Sequence, residues 1–193
     1  MAPANGVDQA VLAAAVECFS TLGFHGTSMR QIAAAAGTGL GNIYNYFSSK
    51  SEILLELLRR ASAEQRDVTD RAIAGAGEDV RDRLVAAVSS FVRFDVEHQA
   101  ACFVANSELR YLDPEQRQQI VAERDRQQKV FQDLIDEGVA SGAFRTPHPH
   151  EACVAILTTC AGVTIWYRPD GSLTPDDIAE RYSRLALAMV EGT

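Results

Sequence analysis

The stretch that most constrains the fold is residues 27–55, TSMRQIAAAAGTGLGNIYNYFSSKSEILL. Residues at helical spacing lie on both sides of the tripeptide at 37–39, Gly-Thr-Gly, which is a strong turn signal. This pattern predicts two short helices joined by a tight turn, which are the dimensions of a helix-turn-helix. The residues expected to face inward are Ile32, Ala33, Ala36, Ile43 and Phe47.

The second of these helices is predicted to present an outward face made of Leu40, Asn42, Asn45 and Tyr46. A short projecting helix has a shape that the DNA major groove admits. The amide of Asn42 or Asn45 can pair with adenine, whereas Leu40 can contact only an apolar group such as the thymine methyl. The pattern therefore favours a DNA-reading surface.

Helical periodicity continues along the rest of the chain, and no segment shows sustained polar–apolar alternation. Alanine, leucine, glutamate, glutamine and arginine, which favour helix, are abundant, and the breaks are short segments with glycine or proline. We therefore predict an all-α protein. The predicted helices are residues 8–22, 28–36, 40–47, 50–74, 79–98, 102–111, 114–141, 151–166 and 175–190.

Charge is distributed unevenly over the 193 residues. The net charge is −8, yet residues 1–60 contain four acidic and four basic side chains, so the excess negative charge lies beyond residue 60. An acidic body would orient a neutral head toward DNA, so the charge balance permits DNA binding without demanding it. Neither an apolar run of the roughly 20 residues that span a bilayer nor a signal peptide is predicted. A cytoplasmic protein without membrane contact is expected.

Other classes of function find little support in the sequence. No motif of catalytic, phosphate-binding or zinc-binding spacing was found, so no catalytic residue, metal or cofactor is expected. Residues 148–151, His-Pro-His-Glu, lie in a proline-broken loop and are interpreted as incidental. The four cysteines form no Cys-x-x-Cys pair and are expected to be buried structural thiols. A helical enzyme and a protein–protein adaptor remain the alternatives, and enrichment of a palindrome from random genomic DNA would exclude both.

Residues 27–55 resemble the DNA-binding signature of TetR-family regulators. The resemblance implies a nine-helix TetR-like architecture, with a three-helix DNA-binding head at residues 1–50 and a ligand-binding and dimerisation body at residues 51–193. The chain departs from the family pattern at Thr38-Gly39, where members commonly have valine and serine, and at Leu40, where many are basic or polar. The matching positions are Thr27, Ile32, Ala33, Ala36, Gly37, Gly41, Ile43, Tyr44, Phe47, Lys50 and Leu54.

The same resemblance implies roles for individual side chains at the DNA. Thr27 and Arg30 would contact or approach phosphates. Leu40, Gly41, Asn42 and Asn45 would meet base edges or the groove wall. Tyr44, Tyr46 and Lys50 would hold the DNA backbone, with Lys50 aided by the amino end of the helix it begins. The alternatives are that Tyr44 is partly core and that Lys50 is only a solvated charge.

The second half resembles a narrower branch of regulators of fatty-acid and sterol breakdown, at residues 106–112 and 166–174. That resemblance implies a small-molecule effector, either an acyl-CoA or another hydrophobic metabolite. Arg93 or Arg110 would pair with its anionic head group. The alternative is that the aromatic residues are ordinary core and the arginines are surface ion pairs. The residues predicted to line the effector site are Phe91, Arg93, Phe94, Phe103, Asn106, Arg110 and Trp166.

The last two predicted helices each carry an apolar stripe. Two such helices from each of two subunits can pair as a four-helix bundle. A palindromic operator in double-stranded DNA also needs a twofold-symmetric protein, so a homodimer is expected. The alternative is that the stripes pack within one subunit. The predicted interface residues are Cys153, Ile156, Leu157, Cys160, Thr164, Ile178, Tyr182, Leu185 and Met189.

Overall fold

The computed structural model describes residues 6–191, and every regular element in that range is helical. The prediction of an all-α protein with nine principal helices is confirmed. In addition, Leu109–Tyr111 form a 3-10 turn, and Val163–Trp166 form one further helical turn. The helices are α1 (Gly6–Gly26), α2 (Met29–Ala35), α3 (Leu40–Ile43), α4 (Lys50–Gly75), α5 (Val80–Glu97), α6 (Gln99–Glu108), α7 (Pro114–Ser141), α8 (Pro149–Ala161) and α9 (Pro175–Glu191).

Helix α3 and the predicted eighth helix end earlier than the sequence predicts. The segment after α3 continues to Phe47 as turns, in which the Asn45 N–H bonds the Asn42 carbonyl and the Tyr46 N–H bonds the Ile43 carbonyl. These bonds span three residues, so the backbone tightens from α-helical to 3-10 geometry. The predicted eighth helix is interrupted at Gly162, after which the chain makes only the single turn at Val163–Trp166.

Helix starts are set by side chains that satisfy otherwise unpaired backbone N–H groups. Ser28 and Gln31 form a reciprocal capping box at α2. Thr174 and Asp177 do the same at α9, where the Asp177 N–H donates to the Thr174 hydroxyl at 3.1 Å and the Asp177 carboxylate accepts from the Thr174 backbone at 2.9 Å. These short-range contacts explain why the helix starts could be read from sequence.

The chain divides into two compact units. Unit 1 contains the residues up to Ala61 together with Ala100–Val121, and unit 2 contains Ser62–Gln99 together with Ala122 onward. Each unit has its own hydrophobic core. This division differs from a boundary after residue 50, because Ile53 and Leu58 of α4 and Val104 of α6 belong to the core of unit 1. The 1–50 and 51–193 division stays a prediction about functional domains.

Helix α1 is long and apolar enough to cross a membrane by length and mean hydropathy, which the sequence analysis did not recognise. Its buried residues, which include Val11, Ala15 and Phe19, belong to the core of unit 1. Gly23 breaks its helical geometry with φ 70°. Core helices of soluble proteins pass the same length and hydropathy test, and the packing of α1 favours that interpretation.

Candidate nucleic-acid interface and effector body

The turn between α2 and α3 places a short helix on the surface of unit 1. Gly37 has φ 63°, a left-handed conformation that glycine adopts without a Cβ penalty. Gly39 is the N-cap residue of α3 and supplies no side-chain bond. The Asn42 amide instead donates to the Thr38 hydroxyl at 2.9 Å, which ties α3 back to the turn. Ile43 is fully buried and anchors α3 to the core, so the helix is held in place despite its single turn.

An exposed polar and aromatic surface surrounds α3. Tyr44 is 52% exposed and Tyr46 is 38% exposed. Arg30, Gly41 and Asn45 are exposed as well. Because Tyr44 is exposed, it is not the partly core residue that was the alternative. Large aromatic side chains that stay in solvent beside a hydrophobic core indicate a functional surface. Tyrosine hydroxyls and a guanidinium donate to phosphates, and the Asn45 amide has the donor and acceptor pattern that adenine requires.

Lys50 is engaged by the protein itself. Its Nζ donates to the backbone carbonyls of Phe24 and Thr27, the second at 2.6 Å, and lies 4.3 Å from the centroid of the Phe24 ring. Burial lowers the pKa of Lys50 from its ordinary value. An ammonium carries three N–H groups, so at most one remains for a phosphate. Lys50 is therefore neither a purely solvated charge nor a dedicated phosphate contact.

Two other predicted DNA residues are also turned inward. Thr27 is 2% exposed, and its hydroxyl donates to the Gly23 carbonyl at 2.8 Å and lies 3.1 Å from the Cys18 carbonyl. The Thr27 side chain thus shapes the loop before α2, which corrects its expected role at a phosphate. Leu40 is partly buried and packs against the core of unit 1, so its methyl groups are not freely offered to a base.

Two arginines of unit 1, both on α4, are neutralised by ion pairs. Arg59 pairs with Glu56 at 2.8 Å, and Arg60 pairs with both Glu56 at 2.6 Å and Asp8 at 2.7 Å. Among the described residues no ion pair is found for Arg30, which is exposed. Arg30 is therefore the strongest candidate for a phosphate contact through charge.

The residues predicted to line the effector site do not share one environment. Within unit 2, Phe91 is buried and packs edge-on to Phe131 at 5.9 Å between ring centroids, and Phe94 is buried and stacks on His98. Arg93 is exposed and pairs with Asp176 at 3.0 Å, which is the surface ion pair considered as the alternative. Trp166, which is also in unit 2, is half exposed. The remaining residues predicted to line the effector site belong to unit 1 and are Phe103, Asn106 and Arg110.

Unit 2 contains buried polar side chains that the sequence analysis missed. Asp95 on α5 is 2% exposed and accepts a hydrogen bond from the Gln65 amide at 2.6 Å. Gln127 on α7 is 8% exposed. Arg124, one turn earlier on α7, is partly buried, and burial lowers its pKa while the Asp95 carboxylate opposes that shift. The sequence does contain a signal for the buried Asp95. It follows Phe91 at helical spacing and so places a polar residue on an otherwise apolar stripe of α5.

The two predicted dimer stripes lie mostly in the core of their own subunit. Cys153, Ile156, Cys160, Thr164 and Ile178 are each 3% exposed or less. They are therefore unavailable to a partner, and for them the alternative of packing within one subunit is the correct one. The reason is that each stripe covers more than one side of its helix, and α8 and α9 bury the side that faces α5.

A neighbouring face of α8, the turn after it and α9 remains exposed and apolar. Ile165 is 77% exposed, Leu185 is 50% exposed and Trp166 is 46% exposed. The Trp166 indole N–H donates to the Tyr182 hydroxyl at 3.1 Å, which links the two parts of this face. We call it the α8–α9 apolar face. Its exposed residues are Val154, Ile165, Trp166, Leu185 and Met189, and the half-buried Leu157 and Tyr182 lie on the same helices.

The cysteines are free and buried, as the sequence analysis expected. Burial raises the pKa of Cys153 to about 11 and that of Cys160 to about 12. Thiols with such pKa values carry almost no thiolate near neutral pH and are poor nucleophiles. Within residues 6–191 no group of three or more acidic, histidine or cysteine side chains has the geometry of a metal site.

Comparison with known proteins accounts for this arrangement. Residues 11–57 match the family model described as "Bacterial regulatory proteins, tetR family", and residues 77–190 match "Tetracyclin repressor-like, C-terminal domain". The chain is also 31% identical over 176 residues to the HTH-type transcriptional repressor KstR2 of Rhodococcus jostii, covering 90% of this chain and 85% of that protein. The chain belongs to the TetR family. It is a ligand-responsive, DNA-binding transcriptional regulator and not an enzyme, as the sequence predicted.

Solved structures of TetR-family regulators share the fold. The ketosteroid transcriptional regulator KstR2 of Mycobacterium tuberculosis superposes with a TM-score of 0.87 at 25% identity, covering 99% of this chain and 98% of that one. AibR in complex with isovaleryl coenzyme A and operator DNA superposes with a TM-score of 0.84 at 20% identity, covering 92% and 96% of the two chains. At that identity, the AibR match shows the fold alone.

Proposed function

We propose that this TetR-family regulator acts in the cytoplasm as a homodimeric repressor, which releases a palindromic operator when an acyl-CoA or a related hydrophobic effector binds. The DNA-binding part of this proposal rests on the exposed surface around α3, where Tyr44, Asn45 and Tyr46 remain in solvent beside a well-packed core. On this surface, Arg30 and the tyrosines would contact phosphates, and Asn45 and the backbone at Gly41 would meet base edges.

The α8–α9 apolar face supports the dimer. Its exposed residues include isoleucine, tryptophan, leucine and methionine, a combination that soluble monomers rarely leave uncovered. Two copies of one helix pair can bury such a face as a four-helix bundle with twofold symmetry. The same symmetry would place two α3 surfaces on successive major grooves, about 34–36 Å apart.

The proposed response to an effector rests on the similar proteins and on the structure of unit 2. KstR2 is a repressor by name, its Mycobacterium tuberculosis member is called a ketosteroid regulator, and AibR was solved with a CoA thioester. Helix α4 contributes to both units of this chain. A ligand that displaces α4 within unit 2 would therefore change where the DNA-binding surface is held. The ligand must bind the DNA-incompetent state more tightly, since equal binding to both states shifts nothing.

The test is a selection followed by a titration. Enrichment from random genomic DNA should yield a palindrome, and a fluorescent copy of it should then be released by acyl-CoAs in a manner that depends on chain length. We expect palmitoyl-CoA to release the operator at lower concentration than isovaleryl-CoA or free palmitate. Release by none of the three would reject the acyl-CoA effector, while failure to enrich any palindrome would reject sequence-specific DNA binding.

A further inference from the structure

A cluster of polar side chains inside unit 2 belongs neither to the exposed surface around α3 nor to the α8–α9 apolar face. Its members lie on three helices: Gln65 on α4, Asp95 on α5, and Arg124 and Gln127 on α7. The surrounding core of unit 2 is apolar, and Phe131, one turn beyond Gln127 on α7, is fully buried in it. Polar groups in such surroundings destabilise a fold unless they are hydrogen bonded or bind something.

Gln127 is the member with unsatisfied hydrogen-bonding groups. Its side chain is 8% exposed, and among residues 6–191 neither Nε2 nor Oε1 has a hydrogen-bond partner. A carboxamide offers two N–H donors and one acceptor oxygen, so none of the hydrogen-bonding groups of this side chain is used within the described residues. A methionine or leucine of similar size would fill the same volume without that cost.

The charges around Gln127 restrict what it can bind. Arg124 lies on the same face of α7, three residues before Gln127. Helices α5 and α7 run antiparallel, since Arg83 pairs with Glu137 at 2.7 Å and Phe91 contacts Phe131. The buried carboxylate of Asp95, one turn after Phe91, therefore lies beside the turn of α7 that holds Gln127. A ligand carboxylate placed here would leave an uncompensated negative charge in an apolar interior, which is strongly unfavourable. An uncharged hydrogen-bonding group would bring no additional charge into this interior.

We propose that Gln127, beside the buried carboxylate of Asp95, anchors an uncharged amide group of the effector inside unit 2. The Gln127 Nε2 donates to the amide carbonyl of the ligand, and its Oε1 accepts from an amide N–H. This inference rests on the proposed function, and it names the part of the effector that unit 2 recognises. CoA thioesters carry secondary amides in their pantetheine arm, so the proposed effector class offers the required group.

The experiment compares two probes that differ only at the head group. Decanamide and decanoate have the same alkyl chain, and their binding to the wild-type chain and to Q127M can be measured by calorimetry without DNA. We expect decanamide to bind the wild type more tightly than decanoate. Its affinity for Q127M should fall about tenfold, the loss expected for a hydrogen bond to a buried group.

A second measurement separates an anchor from a structural residue. Ligand-free Q127M should melt about 2–4 °C above the wild type, because a buried amide without partners is removed. A structural glutamine would give the opposite sign. Gln119 is exposed on the same helix, so Q119M is the matched control and should change neither melting temperature nor affinity. Q127L repeats the test with a stiffer apolar side chain.

Several outcomes would overturn the proposal. They are no binding of decanamide to the wild type, equal or tighter binding of decanoate, an unchanged affinity of Q127M, and a lower melting temperature of ligand-free Q127M. None of these measurements involves an operator. A regulator that binds its palindrome but fails here would refute only the amide anchor, whereas a chain that enriches no palindrome would refute the proposed function.

Discussion

The carboxylate of Glu108 accepts a hydrogen bond from the backbone N–H of Phe24 at 2.9 Å, across 84 residues of sequence. Both residues are buried in unit 1. Next to this bond the Tyr111 ring stacks on Phe24 at 5.5 Å between centroids, and it meets His25 edge-on at 4.4 Å. The end of α6 and its 3-10 turn therefore hold the last turn of α1, which leads into α2, the first helix of the helix-turn-helix.

Replacing Glu108 should destabilise unit 1. E108A leaves the Phe24 N–H buried without a partner, so we expect the free energy of unfolding to fall by about 1–3 kcal/mol. E108Q keeps an acceptor oxygen and should lose less. Urea unfolding measures both, with E64A on the exposed side of α4 as the control. Equal stability of E108A and E64A would show that the bond is dispensable.

Lys50 should contribute to folding as well as to DNA binding. K50M removes the donors to the Phe24 and Thr27 carbonyls, and we expect it to lower the free energy of unfolding by about 1–3 kcal/mol. K129M, at an exposed lysine of α7, should have little effect. If K50M unfolds like the wild type and only its operator affinity falls, Lys50 acts chiefly at a phosphate.

Arg30 and Asn45 should give different signatures at the operator. R30A should weaken all DNA sequences alike and reduce the slope of log affinity against log salt by about one ion. N45A should instead relax the preference at one base pair, by about 1–3 kcal/mol for a bidentate contact. Binding titrations on operator and scrambled DNA at several salt concentrations distinguish the two, with the ion-paired R59A as a control. A uniform effect of N45A on both DNAs would assign it to the backbone.

Leu185 should be needed for assembly. L185E places a charge in the α8–α9 apolar face, which a buried interface tolerates poorly, so we expect monomers by light scattering. Operator affinity should fall with it, because one α3 surface reads only half a palindrome. V121E changes an exposed valine elsewhere and should leave the oligomeric state unchanged. A dimer that survives L185E would locate the interface on another surface.

Glu56 should make stability depend on acid pH. Hydrogen bonds from Arg59 and then Arg60 hold the pKa of Glu56 below its ordinary value of 4.5 in the folded state. A lowered folded pKa stabilises the protein above the ordinary pKa, and that contribution disappears as pH falls through the folded value. E56Q should therefore be less stable than the wild type at neutral pH, by less than about 1 kcal/mol because Arg59 is exposed, and equally stable in acid. A difference that persists in strong acid would exclude this ion pair as its origin.

Features set by neighbouring residues could be predicted from sequence. The helix starts at Ser28 and Thr174 depend on partners three residues away, and the turn at Gly37 depends on a conformation that glycine favours. The exposure of Asn45 and Tyr46 followed from the spacing of Ile43 and Phe47, which fixes which side of the segment is buried. The helix-turn-helix was thus determined locally.

Only the tertiary structure decided which of several similar side chains are buried against another helix and which stay exposed. Periodicity did not distinguish the side of α8 that packs on α5, with Cys153 and Ile156, from the side that carries Val154 and stays exposed. Nor did it indicate that Lys50 would be held by carbonyls 23 and 26 residues earlier in the chain. The sequence by itself determined the helices, their caps and the DNA-binding motif, because those depend on contacts within about one turn. The exposed α8–α9 apolar face, the engaged Lys50 and the buried Gln127 depend on contacts between distant segments, which form only when the chain is folded.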